Sequence, residues 1–243
     1  MESKHLSNGS KGIVVITGAS KGIGKAIATG FAAEGYEVLI CSRSNEHLRE
    51  AVKQITQQHP GASIKTFEAD FADMNAVRSF GDWCLQQGTP TILVNNAGIY
   101  LPGNLSEEAE GSMESTMNIN FFSAYHLTRQ LLPSMKSGGE GHIFNISSIA
   151  GLAAYEGGGS YSVSKFALTG FSKNLRHELK ETGIKVTTVF PGAVMTNSWA
   201  GFDNSNNRIM EAADIAAMIV AASKLSPQAT VEDIIIRPQL GDL

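Results

Sequence analysis

Cysteine is scarce in this 243-residue chain. Cys41 ends an apolar run and Cys84 falls in a helical pattern, which reads as two buried thiols in a reducing compartment. Long apolar runs are lacking too, and none approaches the ~18 residues of a membrane helix. The polar segment Met1–Lys11 has no apolar core of the kind a signal peptide carries, so the cytoplasm is the expected location. Positive charge is never concentrated: the net charge is −4 with no basic block. That argues against nucleic acid or an anionic membrane surface as the main partner. The histidines at 5, 47, 59, 126, 142 and 177 form no His-x-x-x-His pair, and the cysteines form no Cys-x-x-Cys pair. No metal is expected, and a metal-dependent hydrolase is set aside.

Repeats, long linkers and low-complexity tracts are missing as well, leaving one domain over 12–243 behind a loose leader at 1–11. Within it, short and nearly all-apolar runs read as strands at Ile13–Ile16, Val38–Cys41, Ser63–Phe67, Ile92–Val94, His142–Ile146, Val186–Phe190 and Asp233–Ile236. Runs of that type suit strands buried on both faces. Helical patterns lie between them near 22–34, 46–58, 73–87, 106–118, 119–136, 161–181 and 211–224. Strand–helix alternation with right-handed crossovers predicts an α/β fold, a doubly wound parallel sheet of about seven strands with helices on both faces.

The first strand runs into Thr17-Gly18-Ala19-Ser20-Lys21-Gly22-Ile23-Gly24, which opens a helix. Glycines at 18, 22 and 24 allow a tight turn and let backbone N–H groups approach a pyrophosphate. The helix N-terminus adds unpaired donors and partial positive charge. After the second strand comes Cys41-Ser42-Arg43-Ser44, with no carboxylate before Glu46. A carboxylate there would favour the free ribose hydroxyls of NAD. Arg43, with Ser42 as added donor and Lys21 nearby, instead suits a 2′-phosphate and points to NADP(H).

Tyr161-Ser-Val-Ser-Lys165 begins a later helix, and its i,i+4 spacing puts phenol and ammonium on one face. Reduction of a carbonyl needs a proton donor, and a neighbouring ammonium is expected to lower the phenol's pKa toward working range. The spacing alone is common by chance. Ser148, just past the fifth strand, adds a hydroxyl able to hold a substrate oxygen at the ligand-facing end of the sheet.

Together these motifs resemble the short-chain dehydrogenase/reductase family, from Gly12 to the last strand. The matches are Thr-Gly-x-x-x-Gly-x-Gly at Thr17–Gly24, Asn-Asn-Ala-Gly at Asn95–Gly98, a serine thirteen positions before the tyrosine of Tyr-x-x-x-Lys, and Pro191-Gly192 after the sixth strand. The resemblance implies a Rossmann-type fold and a catalytic set of Asn120, Ser148, Tyr161 and Lys165. Asn120 would hold a water that links the lysine to solvent, with Asn118 as its rival for that place. It further implies that the dinucleotide meets Ser20, Ile23, Asp70, Phe71, Asn96, Ala97, Gly98, Tyr161, Lys165, Pro191, Gly192, Val194 and Thr196, with Lys165 on the nicotinamide ribose. Asp70 would bind the adenine amino group, and Thr196 the carboxamide or phosphates. Asn95 would brace the sheet.

The expected activity is NADP(H)-dependent hydride transfer between nicotinamide and a carbonyl or alcohol. Tyr100, Leu101, Leu152, Tyr155, Met195, Trp199 and Phe202 are expected to rim the site, and they include no cation to grip an acid group. The segment after Thr196 is short for a lid. Small to medium ketones, aldehydes or diketones are therefore expected ahead of 3-oxoacyl groups on a carrier protein. An NADP-binding redox-sensing regulator is the non-enzyme alternative on the same fold. In proteins this chain resembles, the helices near 119–136 and 161–181 pack against a second copy, so a homodimer or homotetramer is expected.

Overall fold

The computed structural model describes residues 10–242 apart from 197, 198 and 200. The leader expected at 1–11 therefore lies outside it save for Ser10 and Lys11. Seven strands form one sheet: β1 (Ile13–Ile16), β2 (Glu37–Ser42), β3 (Ser63–Glu68), β4 (Pro90–Asn95), β5 (Gly141–Ile146), β6 (Ile184–Pro191) and β7 (Asp233–Ile236). Their order is β3-β2-β1-β4-β5-β6-β7 and every pairing is parallel. The helices are α1 (Gly22–Ala33), α2 (Asn45–Gln58), α3 (Met74–Gln87), α4 (Ser112–Met117), α5 (Ser123–Gly138), α6 (Gly159–Leu179) and α7 (Ala212–Ser223).

Successive strand residues point to opposite faces, and each face has its own core. Val14, Ile16, Val38 and Ile40 pack with Ile27, Phe31, Leu48, Ile55, Ile215 and Ile219 from α1, α2 and α7. Ile13, Val15 and Leu39 pack on the other side with Val77, Phe80, Leu127, Leu131 and Leu175 from α3, α5 and α6. Because both faces are covered at the centre, β1 is apolar and buried at every position, whereas edge strand β3 exposes Lys65, Thr66 and Glu68. The strand order reverses between β1 and β4, and a crevice opens at the carboxyl ends there, the place where such sheets bind ligands.

Two elements depart from the sequence expectation. The helix expected from 106 begins only at Ser112, because Gly111 takes a left-handed conformation with φ 86° that stops a helix extending backwards. The segment before it, rich in helix-forming glutamates, forms turns instead. The helix expected from 119 opens as a π-helical turn over Asn118–Phe122 that joins α4 to α5. Such wide turns occur often at functional sites.

One buried group ties stability to pH. His142 on β5 bonds Thr187 Oγ1 through Nε2 at 2.7 Å, while its Nδ1 is buried without a partner. Burial pushes its pKa down from 6.5 to about 3, with nearby Lys185 adding to the effect. Between those values the unfolded chain binds a proton that the folded chain refuses, so stability is complete above the unfolded value and falls as pH drops through the window. At ~1.4 kcal/mol per pH unit, the loss is about 2 kcal/mol by pH 5. Urea melts at pH 7 and pH 5 check this, and His142→Gln should reduce the loss. An equal loss in the variant would assign the acid sensitivity to other groups.

Candidate active site

The turn after β1 and the turn after β4 are built against each other. Thr17 Oγ1 accepts the N–H groups of Asn96 and Ala97, each at 2.9 Å. Asn96 Nδ2 donates back to the carbonyls of Thr17 and Gly18 at 2.8 and 3.0 Å. Gly24 is fixed by the same contact: a Cβ there would lie 2.5 Å from Asn96 Nδ2 and from Gly18 O. Lys21, at the N-cap of α1, makes no side-chain cap, and no acidic residue occupies the first helical turn. The N-terminal donors are left for an anion, which fits the pyrophosphate of a dinucleotide.

Beside this turn opens a cavity of about 460 Å³ between the ends of β4, β5 and β6 and the start of α6. Ser148, Tyr161 and Lys165 all line it. Ser148 caps the short helical turn Ile149–Gly151, its Oγ accepting from Ala150 N at 3.2 Å. Its neighbour Ser147 is committed elsewhere, bonded to Lys165 O at 3.2 Å and to Thr169 Oγ1 at 3.0 Å. Lys165 is buried and donates from Nζ to Ile146 O at 2.9 Å. Burial lowers its pKa to about 8. Its Nζ lies 5.7 Å from the centre of the Tyr161 ring.

Tyr161 shows the balance of forces. Burial raises its pKa above the usual phenol value, Ser148 opposes the rise, and Tyr100 adds to it. The lowering expected from Lys165 is not among these effects, and its Nζ donates instead to the Ile146 carbonyl. The phenol therefore stays protonated at neutral pH, the state a proton donor needs.

Asn120 is buried in the π turn. Its Nδ2 donates to Ile99 O at 3.0 Å and to Ser164 Oγ at 2.9 Å, and its Oδ1 accepts from Ile99 N at 2.7 Å. A Cβ on Gly98 would stand 3.3 Å from Asn120 Oδ1 and 3.7 Å from Lys165 Nζ. The asparagine and the lysine thus converge on one point of backbone. Asn95 donates to Thr128 Oγ1 and Asn145 Oδ1 at 2.9 and 2.8 Å, joining β4, β5 and α5.

The family model for short chain dehydrogenase matches residues 12–207. The chain belongs to the short-chain dehydrogenase family. A sepiapterin reductase from Chlorobaculum tepidum is 35% identical over 96% of this chain and 98% of its own length. A solved metagenomic short-chain oxidoreductase in complex with NADP is 29% identical with a TM-score of 0.83, covering 96% of this chain and 99% of that one. L-sorbose reductase from Gluconobacter frateurii, solved with NADPH and L-sorbose, is 27% identical with a TM-score of 0.84, covering 94% and 95%. The chain is an oxidoreductase of the class acting on CH-OH and C=O groups.

As a short-chain dehydrogenase, it places its motif residues in two groups. Ile23, Asn96, Gly98, Ser148, Tyr161, Lys165, Pro191, Gly192, Val194 and Thr196 line the cavity. Thr196 approaches the dinucleotide turn, its Cγ2 lying 3.1 Å from where a Cβ on Gly22 would be. Ser42, Arg43 and Asp70 stand apart, at the ends of β2 and β3, with Arg43 and Asp70 exposed. Asp70 Oδ1 accepts from Ala72 N at 3.0 Å. Phe71 is buried against Phe80, with ring centres 5.8 Å apart, so its ring serves the core.

Of the expected rim, Tyr100, Tyr155 and Trp199 line the cavity, whereas Leu101, Leu152, Met195 and Phe202 are not among its lining residues. Sequence reasoning missed Arg237 and Asp242, which do line it and pair with each other. The segment after β7 folds back to bring them there. A Cβ on Gly192 would stand 3.0 Å from Pro238 Cδ and 3.2 Å from Asp242 Oδ1, and Arg208 donates to the carbonyls of Gly241 and Asp242 at 3.0 and 2.9 Å. No local pattern announces that return.

Proposed function

We propose that this short-chain dehydrogenase reduces a small to medium, uncharged or weakly polar ketone, aldehyde or diketone with NADPH. One observation carries the reading: the cavity has Ser148 and Tyr161 hydroxyls within walls of Tyr100, Tyr155 and Trp199, and its peripheral cation, Arg237, is neutralised by Asp242. An aromatic wall favours a flat or apolar carbonyl compound, and a paired arginine offers little to a carboxylate or phosphate. The likeness to a sepiapterin reductase supports reduction of a small molecule within the same class.

Bound NADPH would supply the hydride. Ser148 and Tyr161 hold the carbonyl oxygen, and Tyr161 gives its phenolic proton to that oxygen as the carbon accepts the hydride. Lys165 stands beside the ring, its Nζ 5.7 Å from the ring centre, and would bind the nicotinamide ribose. Asn120 fixes the Ile99 backbone beside it. Thr17, Gly18, Ser20, Lys21, Gly22, Ile23 and Gly24 would cradle the pyrophosphate. Asn96, Ala97, Gly98, Pro191, Gly192, Val194 and Thr196 would flank the nicotinamide half, and Asp70 with the Phe71 backbone would meet the adenine.

The test is a side-by-side assay of diacetyl, acetophenone, sepiapterin and an acetoacetyl thioester, followed by NADPH consumption. The reading expects a small carbonyl to lead. A thioester that wins by a hundredfold in kcat/KM would replace it with the 3-oxoacyl reading.

Arg43 with Ser42 accounts for the choice of NADPH over NADH. NADPH is expected to lead by about tenfold or more in kcat/KM, since a lost charge-assisted bond costs ~1.5–3 kcal/mol. Arg43→Ala should erase most of that lead, and an unchanged ratio would remove Arg43 from the phosphate site.

We also propose that α5 and α6 pair with a second copy. Phe122 in the π turn and Val163 and Phe166 on α6 are exposed, beside the rings of Phe121, Tyr125 and Phe171. Light scattering at micromolar concentration should give at least twice 25.9 kDa; a mass of one chain would contradict the pairing.

A further inference from the structure

The helix carrying Tyr161 and Lys165 begins without a cap of its own. Gly158 occupies the N-cap of α6 and contributes no side chain. Serine, threonine or aspartate there would satisfy one of the first N–H groups. The bond comes from elsewhere in the chain: Glu108 Oε1 accepts from Ser160 N at 2.7 Å, and Glu108 Oε2 accepts from the Ser160 hydroxyl in a short contact. Glu108 lies in the non-helical segment between β4 and α4, where a helix was expected.

The surrounding backbone is shaped around this contact. Gly159, between the cap and Ser160, has φ 42°, and a Cβ on it would stand 2.1 Å from Glu108 Oε1 and 2.4 Å from Gly103 O. Gly103 N donates to Gly157 O at 2.9 Å, a second link between the same two segments. The loop is anchored at its start by the two Ile99–Asn120 bonds. Between the anchors lies Tyr100, whose ring meets that of Tyr161 edge to face at 4.9 Å.

We propose that Glu108 is a positioning residue, clamping the loop that carries the Tyr100 wall to the first turn of the helix that carries Tyr161. Substrate then meets a fixed wall at a set distance from the proton donor, and the carboxylate contributes charge where the helix end is most positive. The two bonds from Ser160, hydroxyl first and backbone second, hold the Glu108 carboxyl below the usual carboxylate range. It is therefore charged at neutral pH. The proposal rests on this cavity being the carbonyl site.

Two readouts test it. In steady-state reduction of diacetyl, Glu108→Leu should raise KM about tenfold, as expected for a lost charge-assisted bond, with kcat within about twofold and NADPH affinity unchanged. Glu108→Gln keeps the length and one acceptor and should recover most of the loss. In deuterium exchange without substrate, residues 99–108 and 158–162 should exchange faster in Glu108→Leu than in wild type. A wild-type KM, a fall in kcat at constant KM, or unchanged exchange would each overturn the proposal. If Glu108→Leu does not fold, Gly159→Ala tests the same clamp by displacing the carboxylate, and a wild-type KM there overturns it equally. If wild type does not turn over diacetyl, the carbonyl reading fails for that compound, while exchange still decides the clamp.

Discussion

Tyr161→Phe is expected to lower kcat by about a thousandfold while NADPH affinity stays within about twofold, the range that loss of a general acid produces. The substitution removes one oxygen and keeps the ring. Tyr161 packs edge to face against Tyr100 and beneath Lys165, so the variant should retain both contacts. Burial keeps the phenol protonated at neutral pH, which makes its proton the available one for the substrate oxygen. Stopped-flow binding of NADPH and single-turnover reduction of a carbonyl compound separate the two effects. A variant with a tenth of wild-type kcat would mean that another hydroxyl supplies the proton. Tyr155 and Tyr100 are then the groups to replace next, since both line the same cavity.

Gly24→Val is expected to weaken NADPH binding by about a hundredfold, the scale of losing charge-assisted bonds to phosphate. The reason is geometric. A Cβ at Gly24 lies 2.5 Å from Asn96 Nδ2, which is itself held by two carbonyls, and 2.5 Å from Gly18 O. Neither atom is the loose end of a side chain. The turn must open, which takes the N-terminal donors of α1 out of place. Gly61→Ala serves as control, because a Cβ there meets nothing within 4 Å. Fluorescence titration with NADPH gives the affinities. Wild-type affinity in Gly24→Val would show that the pyrophosphate does not use this turn.

Much of the fold was legible because burial on both faces leaves a plain mark. Ile13–Ile16 is apolar at every position, since alternate residues feed separate cores. The turn at Thr17–Gly24 was legible because glycine at fixed offsets answers a backbone need. Long-range decisions were not. The helix-favouring run Glu107-Glu108-Ala109-Glu110 forms no helix, with Glu108 drawn away to Ser160 more than fifty residues on. The π turn at Asn118–Phe122 has the same apolar spacing as an ordinary helix. Spacing put Tyr161 and Lys165 on one face, but the direction of the ammonium depends on Ile146 O, a contact from β5. Arg237 and Asp242 enter the cavity only because the segment after β7 returns past Gly192.

The most direct test of the account follows the hydride itself. NADPH carrying deuterium at its transferable position is incubated with the full chain and the carbonyl compound reduced fastest in the panel, and the product is examined by mass spectrometry and NMR. The account predicts one deuterium on the new carbinol carbon, none on its oxygen after exchange into water, and one alcohol formed per NADPH consumed. NADPH consumption without label in the alcohol, or no alcohol with any carbonyl compound at saturating NADPH, would contradict it.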